Sequence, residues 1–124
     1  MTSVLLLEDD ADLWESLEIA LQVAGVREVL SVARLKDLRA LGEAALSCTS
    51  AVLDVNLGPR QPTGVEAAAW LRDNGFKGRI IFLTGHAGAY PQVRQACERP
   101  NTVLAEKPAS LGQIMKLIDE AGGG

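Results

Sequence analysis

The stretch Ala51-Val52-Leu53-Asp54-Val55-Asn56 is a short apolar run with two polar residues, Asp54 and Asn56, at its carboxyl end. Such a run is typical of a strand that is buried on both faces of a parallel sheet. Comparable apolar runs occupy residues 3–7, 28–33, 79–83 and 102–105. The sequence therefore predicts five short strands, with the run before Asp54 as the most central of them.

The segments between these runs have apolar residues at helical spacing. One helix is predicted after the first strand, where Leu13, Leu17 and Leu21 share a face, and a second over residues 35–45. Further helices are predicted over residues 65–74, over residues 87–98 with an interruption at Pro91, and over the last turns of the chain. Strands that alternate with helices favour parallel pairing through right-handed crossovers. The predicted fold class is α/β, a doubly wound five-stranded parallel sheet with helices on both faces.

Polar side chains follow the ends of several predicted strands. Glu8 and Asp9 follow the first strand, Asp54 and Asn56 the third, Thr84 the fourth and Lys107 the fifth. In an open parallel sheet the carboxyl ends of the strands line one crevice. Residues that are scattered along the chain are therefore expected to converge on a single site.

Size and composition narrow the possible functions. The chain has 124 residues, of which 48% are hydrophobic and 23% charged, which is typical of one globular domain. No segment approaches the roughly 20 apolar residues of a membrane span, and no signal peptide is recognisable, so we expect a cytoplasmic protein. A net charge of -4 disfavours direct binding to nucleic acid. Cys48 and Cys97 are expected to be ordinary buried or half-buried thiols.

The predicted crevice has the chemistry of phosphoryl transfer. Glu8, Asp9 and Asp54 would repel one another unless a cation is bound, and carboxylate oxygens suit Mg²⁺, which also accepts phosphate oxygens. Lys107 would add a fixed positive charge and Thr84 a hydroxyl group, both suited to the oxygens of a phosphoryl group. The carboxylate of Asp54 can act as the nucleophile and become an acyl phosphate.

Four motifs in this order resemble those of the receiver domains of bacterial response regulators, the modules that sensor histidine kinases phosphorylate. They are Val4-Leu5-Leu6-Leu7-Glu8-Asp9-Asp10, Val52-Leu53-Asp54-Val55-Asn56-Leu57, Leu83-Thr84-Gly85 and Glu106-Lys107-Pro108. The resemblance covers essentially the whole chain and is closest to stand-alone, chemotaxis-regulator-like receivers. It implies the flavodoxin-like strand order 2-1-3-4-5, a receiver domain over residues 1–121 and a glycine tail over residues 122–124.

The resemblance also implies a role for each residue of the site. Asp54 matches the phosphoacceptor, Asp9 the direct Mg²⁺ ligand and Glu8 the acidic residue that acts through water. The backbone carbonyl of Asn56 matches a further metal ligand.

Three more positions complete the site that the resemblance implies. Thr84 matches the hydroxyl group of the switch, and Lys107 matches the lysine that binds the phosphoryl group. Pro108 matches a proline that is commonly joined to that lysine by a cis peptide bond, and we expect the same here.

This chain departs from the pattern of these receivers in the loop after Asp54 and in the switch. Residues 58–63 add about two residues to the loop, which could reshape kinase docking or be a tolerated surface insertion. Leu104 stands three residues before Lys107, where many receivers have an aromatic residue that turns inward on activation. On phosphorylation, the surface formed by the last two helices and the last strand is then expected to be read differently by a partner, or to change little in conformation.

A third feature concerns the lifetime of the phosphoryl group. Asn56 and His86 match the positions that flank the path of the attacking water in these receivers. His86 is therefore expected to regulate hydrolysis, although an isolated histidine on a loop is commonly only a surface residue.

The expected function is that of a stand-alone receiver. It would accept a phosphoryl group on Asp54 from a histidine kinase or a phosphotransfer protein, with Mg²⁺, in a two-component pathway or phosphorelay. Its only chemistry would be its own phosphorylation and dephosphorylation, so it would not be an enzyme in the usual sense. The downstream protein partner cannot be read from the sequence.

Two other functions remain open at this point. A pseudo-receiver would keep the fold and bind proteins without phosphorylation, and Leu104 and the long loop agree with it. A phosphohydrolase would use an aspartyl phosphate on an external substrate, but it would need a second acid or base at Asn56 and a cap domain.

Overall fold

The structure is a computed structural model that describes residues 3–8, 11–55, 63–84, 91–106 and 111–122. Five parallel strands form one sheet in the order β2-β1-β3-β4-β5. The strands are β1 (Ser3–Leu7), β2 (Glu28–Val32), β3 (Ser50–Asp54), β4 (Arg79–Thr84) and β5 (Thr102–Glu106). The predicted strand order and the all-parallel pairing are confirmed.

The helices connect consecutive strands and follow the last one. They are α1 (Ala11–Val23), α2 (Leu35–Leu41), α3 (Glu43–Leu46), α4 (Thr63–Asp73), α5 (Pro91–Cys97) and α6 (Leu111–Gly122). No helix in the part of the chain that the structure describes has the length and apolar character that crossing a bilayer requires.

Side chains alternate along each strand and create two separate cores, one on each face of the sheet. On one face Leu5, Leu53 and Phe82 pack against α2, α3, α4 and α5. On the other face Leu6 and Val52 pack against α1 and α6. The doubly wound arrangement with helices on both faces is therefore confirmed. Asp54 is two residues after Val52 on β3, so it lies on the face that α1 and α6 cover.

The helix predicted over residues 35–45 is in fact two helices. Gly42 separates α2 from α3 and has a φ of 56°, a conformation that glycine adopts without the steric cost of a Cβ atom. Leu38 and Ala45 are nevertheless both buried in the core on the face of the sheet that packs against α2, α3, α4 and α5. The apolar spacing correctly predicted which residues are buried, but it could not show that the backbone turns at Gly42.

Pro91 is the first described residue of α5, which runs to Cys97. Proline is well suited to the first helical position because the amide it lacks would have no intrahelical partner there. The predicted segment 87–90 lies outside the described residues. Gly122 is the last residue of α6, and residues 123 and 124 also lie outside the description.

Arg72, near the end of α4, holds the amino edge of the sheet together. Its Nη1 donates hydrogen bonds to the carbonyl oxygens of Phe76 (3.0 Å) and Gly78 (2.8 Å). Its Nη2 lies within 3.2 Å of the carbonyl oxygen of Pro100, 2.9 Å of that of Asn101 and 3.3 Å of Thr102 Oγ1. The guanidinium group thus ties the loop before β4 to the loop before β5. Burial lowers the pKa of Arg72, and the charge of Arg99 lowers it further.

Candidate functional site

Two buried carboxylates lie at the carboxyl edge of the sheet, on its two most central neighbouring strands. Leu7 of β1 pairs with Leu53 of β3, and Glu8 and Asp54 are the residues that follow this pair. Glu8 is 1% exposed and Asp54 is 2% exposed. Alternation along the strands puts both on the face that α1 and α6 cover.

Backbone hydrogen bonds hold the strand ends around these carboxylates. The amide of Glu8 donates to the carbonyl oxygen of Val32 (3.1 Å), which ties the end of β1 to β2. The amide of Val55 donates to the carbonyl oxygen of Leu83 (3.0 Å), which ties the end of β3 to β4. The backbone at this edge is thus fixed by the sheet, a rigid support for a reactive group.

Gly64 allows α4 to begin directly against the end of β3. A Cβ atom at this position would lie 2.9 Å from the carbonyl carbon of Asp54 and 2.9 Å from the Cα atom of Val55, and it would overlap the Asp54 carbonyl oxygen. Because these neighbours are backbone atoms, they cannot move aside as a flexible side chain would. A glycine is required here by the close approach of the two elements.

The strands β4 and β5 reach the same edge. Leu83 pairs with Asp54, so Thr84 stands one residue farther along β4. Thr84 in turn pairs with Glu106, which immediately precedes Lys107. The sheet therefore brings the ends of β1, β3, β4 and β5 together, as the sequence predicted.

Several of the predicted site residues lie outside the described residues. These are Asp9, Asn56, His86, Lys107 and Pro108. Their roles, the cis bond before Pro108 and the longer loop over residues 58–63 all stay predictions.

Leu104 lies in the middle of β5 and pairs with Phe82. It is half-buried and packs against the core on the face of the sheet that α2, α3, α4 and α5 cover. An aliphatic side chain thus fills the position that the sequence comparison marked as aromatic in many receivers.

The donor set is suited to a hard divalent cation. Glu8 and Asp54 contribute carboxylate oxygens, which Mg²⁺ prefers over nitrogen or sulfur ligands. Within the described ranges no group of three His, Cys, Asp or Glu side chains could hold a metal ion. The predicted third carboxylate, Asp9, lies outside those ranges, so the two described carboxylates fit the predicted metal site without completing it.

The two cysteines take no part in the site, because Cys48 precedes the amino end of β3 and Cys97 is the last residue of α5. Cys48 is buried and Cys97 is half-buried, and both are free thiols. Burial raises the pKa of each thiol, and for Cys48 this outweighs the opposing effect of a hydrogen bond with Ser3. The prediction of ordinary buried or half-buried thiols is confirmed.

Sequence reasoning missed two features of the described structure. One is the role of Arg72 at the amino edge, and the other is an open cleft between α4 and α5. The only sequence signal for the cleft was the run Ala67-Ala68-Ala69, which leaves room beside α4.

The overall fold is shared with solved receiver domains. The chemotaxis protein CheY4 of Vibrio cholerae superposes with a TM-score of 0.78 at 24% identity, with 98% of each chain covered. A response regulator receiver domain protein of Clostridium thermocellum gives a TM-score of 0.82 at 20% identity, with 98% of this chain and 94% of that chain covered. A response regulator receiver protein of Pseudoalteromonas atlantica gives 0.83 at 16% identity, with 98% of each chain covered.

These similarities establish the fold, which is that of the CheY-like response regulator receiver domains. By sequence, the chain matches no family model and no curated protein. The function must therefore be argued from the site.

Proposed function

We propose that this protein is a response regulator receiver domain that accepts a phosphoryl group on Asp54. The observation that carries the proposal is the burial of the Asp54 carboxylate at the end of a central strand, level with the buried Glu8 on the neighbouring strand. Acidic side chains are rarely buried this completely, and we attribute the burial of two of them at one edge of the sheet to a function that uses them. The shared fold supports the same conclusion.

In the proposed reaction an oxygen of the Asp54 carboxylate attacks the phosphorus of a phosphohistidine on the donor protein. The new P–O bond forms as the P–N bond breaks, and the donor histidine leaves with the electron pair and takes up a proton. The product on this chain is an acyl phosphate. The protein changes only itself, so it is not an enzyme acting on an external substrate.

The surrounding residues have proposed roles in holding the transferred group. Glu8, Asp9, Asp54 and the backbone carbonyl of Asn56 would hold Mg²⁺, which neutralises negative charge on the phosphoryl oxygens when bound. Lys107, oriented by Pro108, supplies a permanent positive charge on the other side.

The remaining proposed roles concern the lifetime of the modification and its output. His86, with Asn56, would control access of water to the acyl phosphate, and the rate at which the added mass decays in a His86→Ala variant tests this. Thr84 would move onto the phosphoryl group and alter the surface of α5, β5 and α6, with Leu104 in place of an aromatic switch residue.

The proposed partners are a sensor histidine kinase or a histidine phosphotransfer protein, and a downstream protein that reads the altered surface. In this proposal the receiver occupies residues 1–121, residues 122–124 form a glycine tail, and the protein acts in the cytoplasm without direct contact with nucleic acid or membrane.

The test is intact-mass measurement after incubation with acetyl phosphate, with and without Mg²⁺. We expect the wild type to gain one phosphoryl group only when Mg²⁺ is present, and the variant Asp54→Asn to gain none. Asp73→Asn is the matched control because Asp73 is a carboxylate on α4 that is 69% exposed. This variant should gain one phosphoryl group, as the wild type does.

The alternative is a pseudo-receiver that binds a partner without phosphorylation. Leu104 in the position of the aromatic switch residue favours it. A folded wild type that gains no mass under any of these conditions would reject the phosphorylated receiver and support this alternative.

A further inference from the structure

A cleft of about 300 Å³ lies between α4 and α5, on the face of the sheet opposite to Asp54. Val65, Ala68 and Ala69 of α4 form one wall, and Ile80 of β4 lies at the floor. The volume is at the lower end of the range for small-molecule sites. Small side chains on α4 keep the space open.

Among the residues that the structure describes, two arginines and no acidic residue line this cleft. Arg72 and Arg99 both contribute to its surface. Arg72 uses its Nη1 and Nη2 donors on backbone and hydroxyl oxygens, and none of its hydrogen-bond partners in the described ranges is a carboxylate. It therefore gives the cleft a positive charge that no acid in the lining neutralises.

Arg99 has donors that a ligand can reach. Its ion pair with Asp73 is 3.6 Å long, and the two side chains are 47% and 69% exposed. An exposed pair of this length is worth little and is easily exchanged for another anion. Both guanidinium groups line the cleft. The positive charge of Arg99 lowers the pKa of Arg72 in addition to the effect of burial, so the two groups repel each other. An anion between them would relieve this repulsion.

We propose that the cleft between α4 and α5 binds a small aliphatic monocarboxylate. The hydrocarbon chain lies against Ala68, Ala69 and Ile80, and the carboxylate accepts hydrogen bonds from Arg99 within the field of Arg72. A neutral apolar ligand would leave the two positive charges unmatched, and an inorganic anion would leave the apolar walls uncovered. Only a ligand with both properties complements the whole surface.

The position of the cleft suggests what binding would influence. The helix α5 follows β4, which ends at Thr84, and precedes β5, which ends at Glu106. A ligand wedged between α4 and α5 would hold α5 in one position relative to the sheet. The site is nevertheless separate from Asp54, and its test needs no phosphorylation.

The experiment is a titration of the ¹⁵N-labelled protein with hexanoate, followed by amide chemical shifts at constant ionic strength. We expect saturable shifts concentrated in residues 65–72 and 94–102. Hexanamide has the same hydrocarbon chain without the charge, and acetate has the charge without the chain. Both are expected to bind at least fivefold more weakly than hexanoate.

Two variants probe the two halves of the proposed site. Arg99→Gln removes the reachable charge, and Ala69→Leu fills the cleft from an exposed position that should not disturb the core. Each is expected to weaken hexanoate binding at least fivefold. The control Lys116→Gln removes an exposed positive charge from α6 on the other face of the sheet and should bind hexanoate like the wild type.

The proposal is overturned if hexanoate shifts do not saturate, if hexanamide binds as well as hexanoate, or if both cleft variants bind hexanoate normally. None of these outcomes bears on phosphorylation of Asp54.

Discussion

The two edges of the sheet hold their ionisable side chains in opposite ways. At the amino edge the guanidinium group of Arg72 is surrounded by carbonyl and hydroxyl oxygens from two loops, so its charge serves the fold. At the carboxyl edge the charges are those of two acids, Glu8 and Asp54, buried at neighbouring strand ends. The first arrangement stabilises the fold by itself, whereas the second brings two acids to one edge, where we propose that a cation and a phosphoryl group bind.

This contrast indicates which edge can respond to a signal. Moving the guanidinium group of Arg72 would break several hydrogen bonds to backbone oxygens at once, so this edge resists rearrangement. In the proposed function the two acids at the carboxyl edge bind Mg²⁺, and one of them becomes an acyl phosphate. The amino edge should therefore govern stability, and the carboxyl edge should govern response.

The largest expected effect on stability is that of Arg72→Met. The variant keeps an apolar chain near Phe76 but leaves the carbonyl oxygens of Gly78 and Asn101 without their guanidinium donor. We expect the free energy of unfolding to fall by about 2–4 kcal/mol, measured by urea denaturation. Arg99→Met is the control: its ion pair is exposed, so its loss should cost less than about 1 kcal/mol. Equal effects of the two variants would contradict the role assigned to the amino edge.

The next largest effect is expected for Gly64→Ala, because the new Cβ atom would meet the backbone of Asp54 and Val55. Either α4 or the end of β3 must shift, and we expect a loss of about 1–3 kcal/mol in thermal or urea unfolding. The same substitution at the exposed Gly112 of α6 should be neutral or slightly stabilising, since alanine is the better helix former. A Gly64→Ala variant as stable as the wild type would mean that α4 does not begin this close to Asp54.

The smallest of these effects is the stabilisation of the carboxyl edge by Mg²⁺. If the acids bind the ion in the folded state only, Mg²⁺ at ten times its dissociation constant should stabilise the wild type by about 1.4 kcal/mol. Thermal unfolding of Glu8→Gln and Asp54→Asn with and without Mg²⁺ should show a smaller increase in midpoint. Asp73→Asn should respond to Mg²⁺ like the wild type because this carboxylate is exposed on α4. Identical responses in all the variants would remove the metal from the proposed site.

Much of the fold could be predicted because the strands are short, largely apolar runs, and four of the five end at a polar residue or directly before one. The apolar runs around Leu6 and Leu53 predicted strands buried on both faces. The ends of these strands predicted that Glu8 and Asp54 lie at the same edge of the sheet. The turn at Gly42 could not be predicted, because a helical pattern of burial continues through it. The spacing of apolar residues predicts which side of a segment is buried. A single change of backbone direction can leave this spacing unchanged, so the spacing does not show the turn.

The sequence by itself determined the class of the fold and which acids could meet. Alternating strands and helices permit few arrangements, and polar residues at the ends of parallel strands must share one edge. Only the tertiary structure decided that Gly64 lies against the carbonyl of Asp54, that Arg72 joins two loops and that α4 and α5 leave a cleft between them. These features depend on contacts between residues far apart in the chain or on the separation of packed elements, and local side-chain patterns do not determine either.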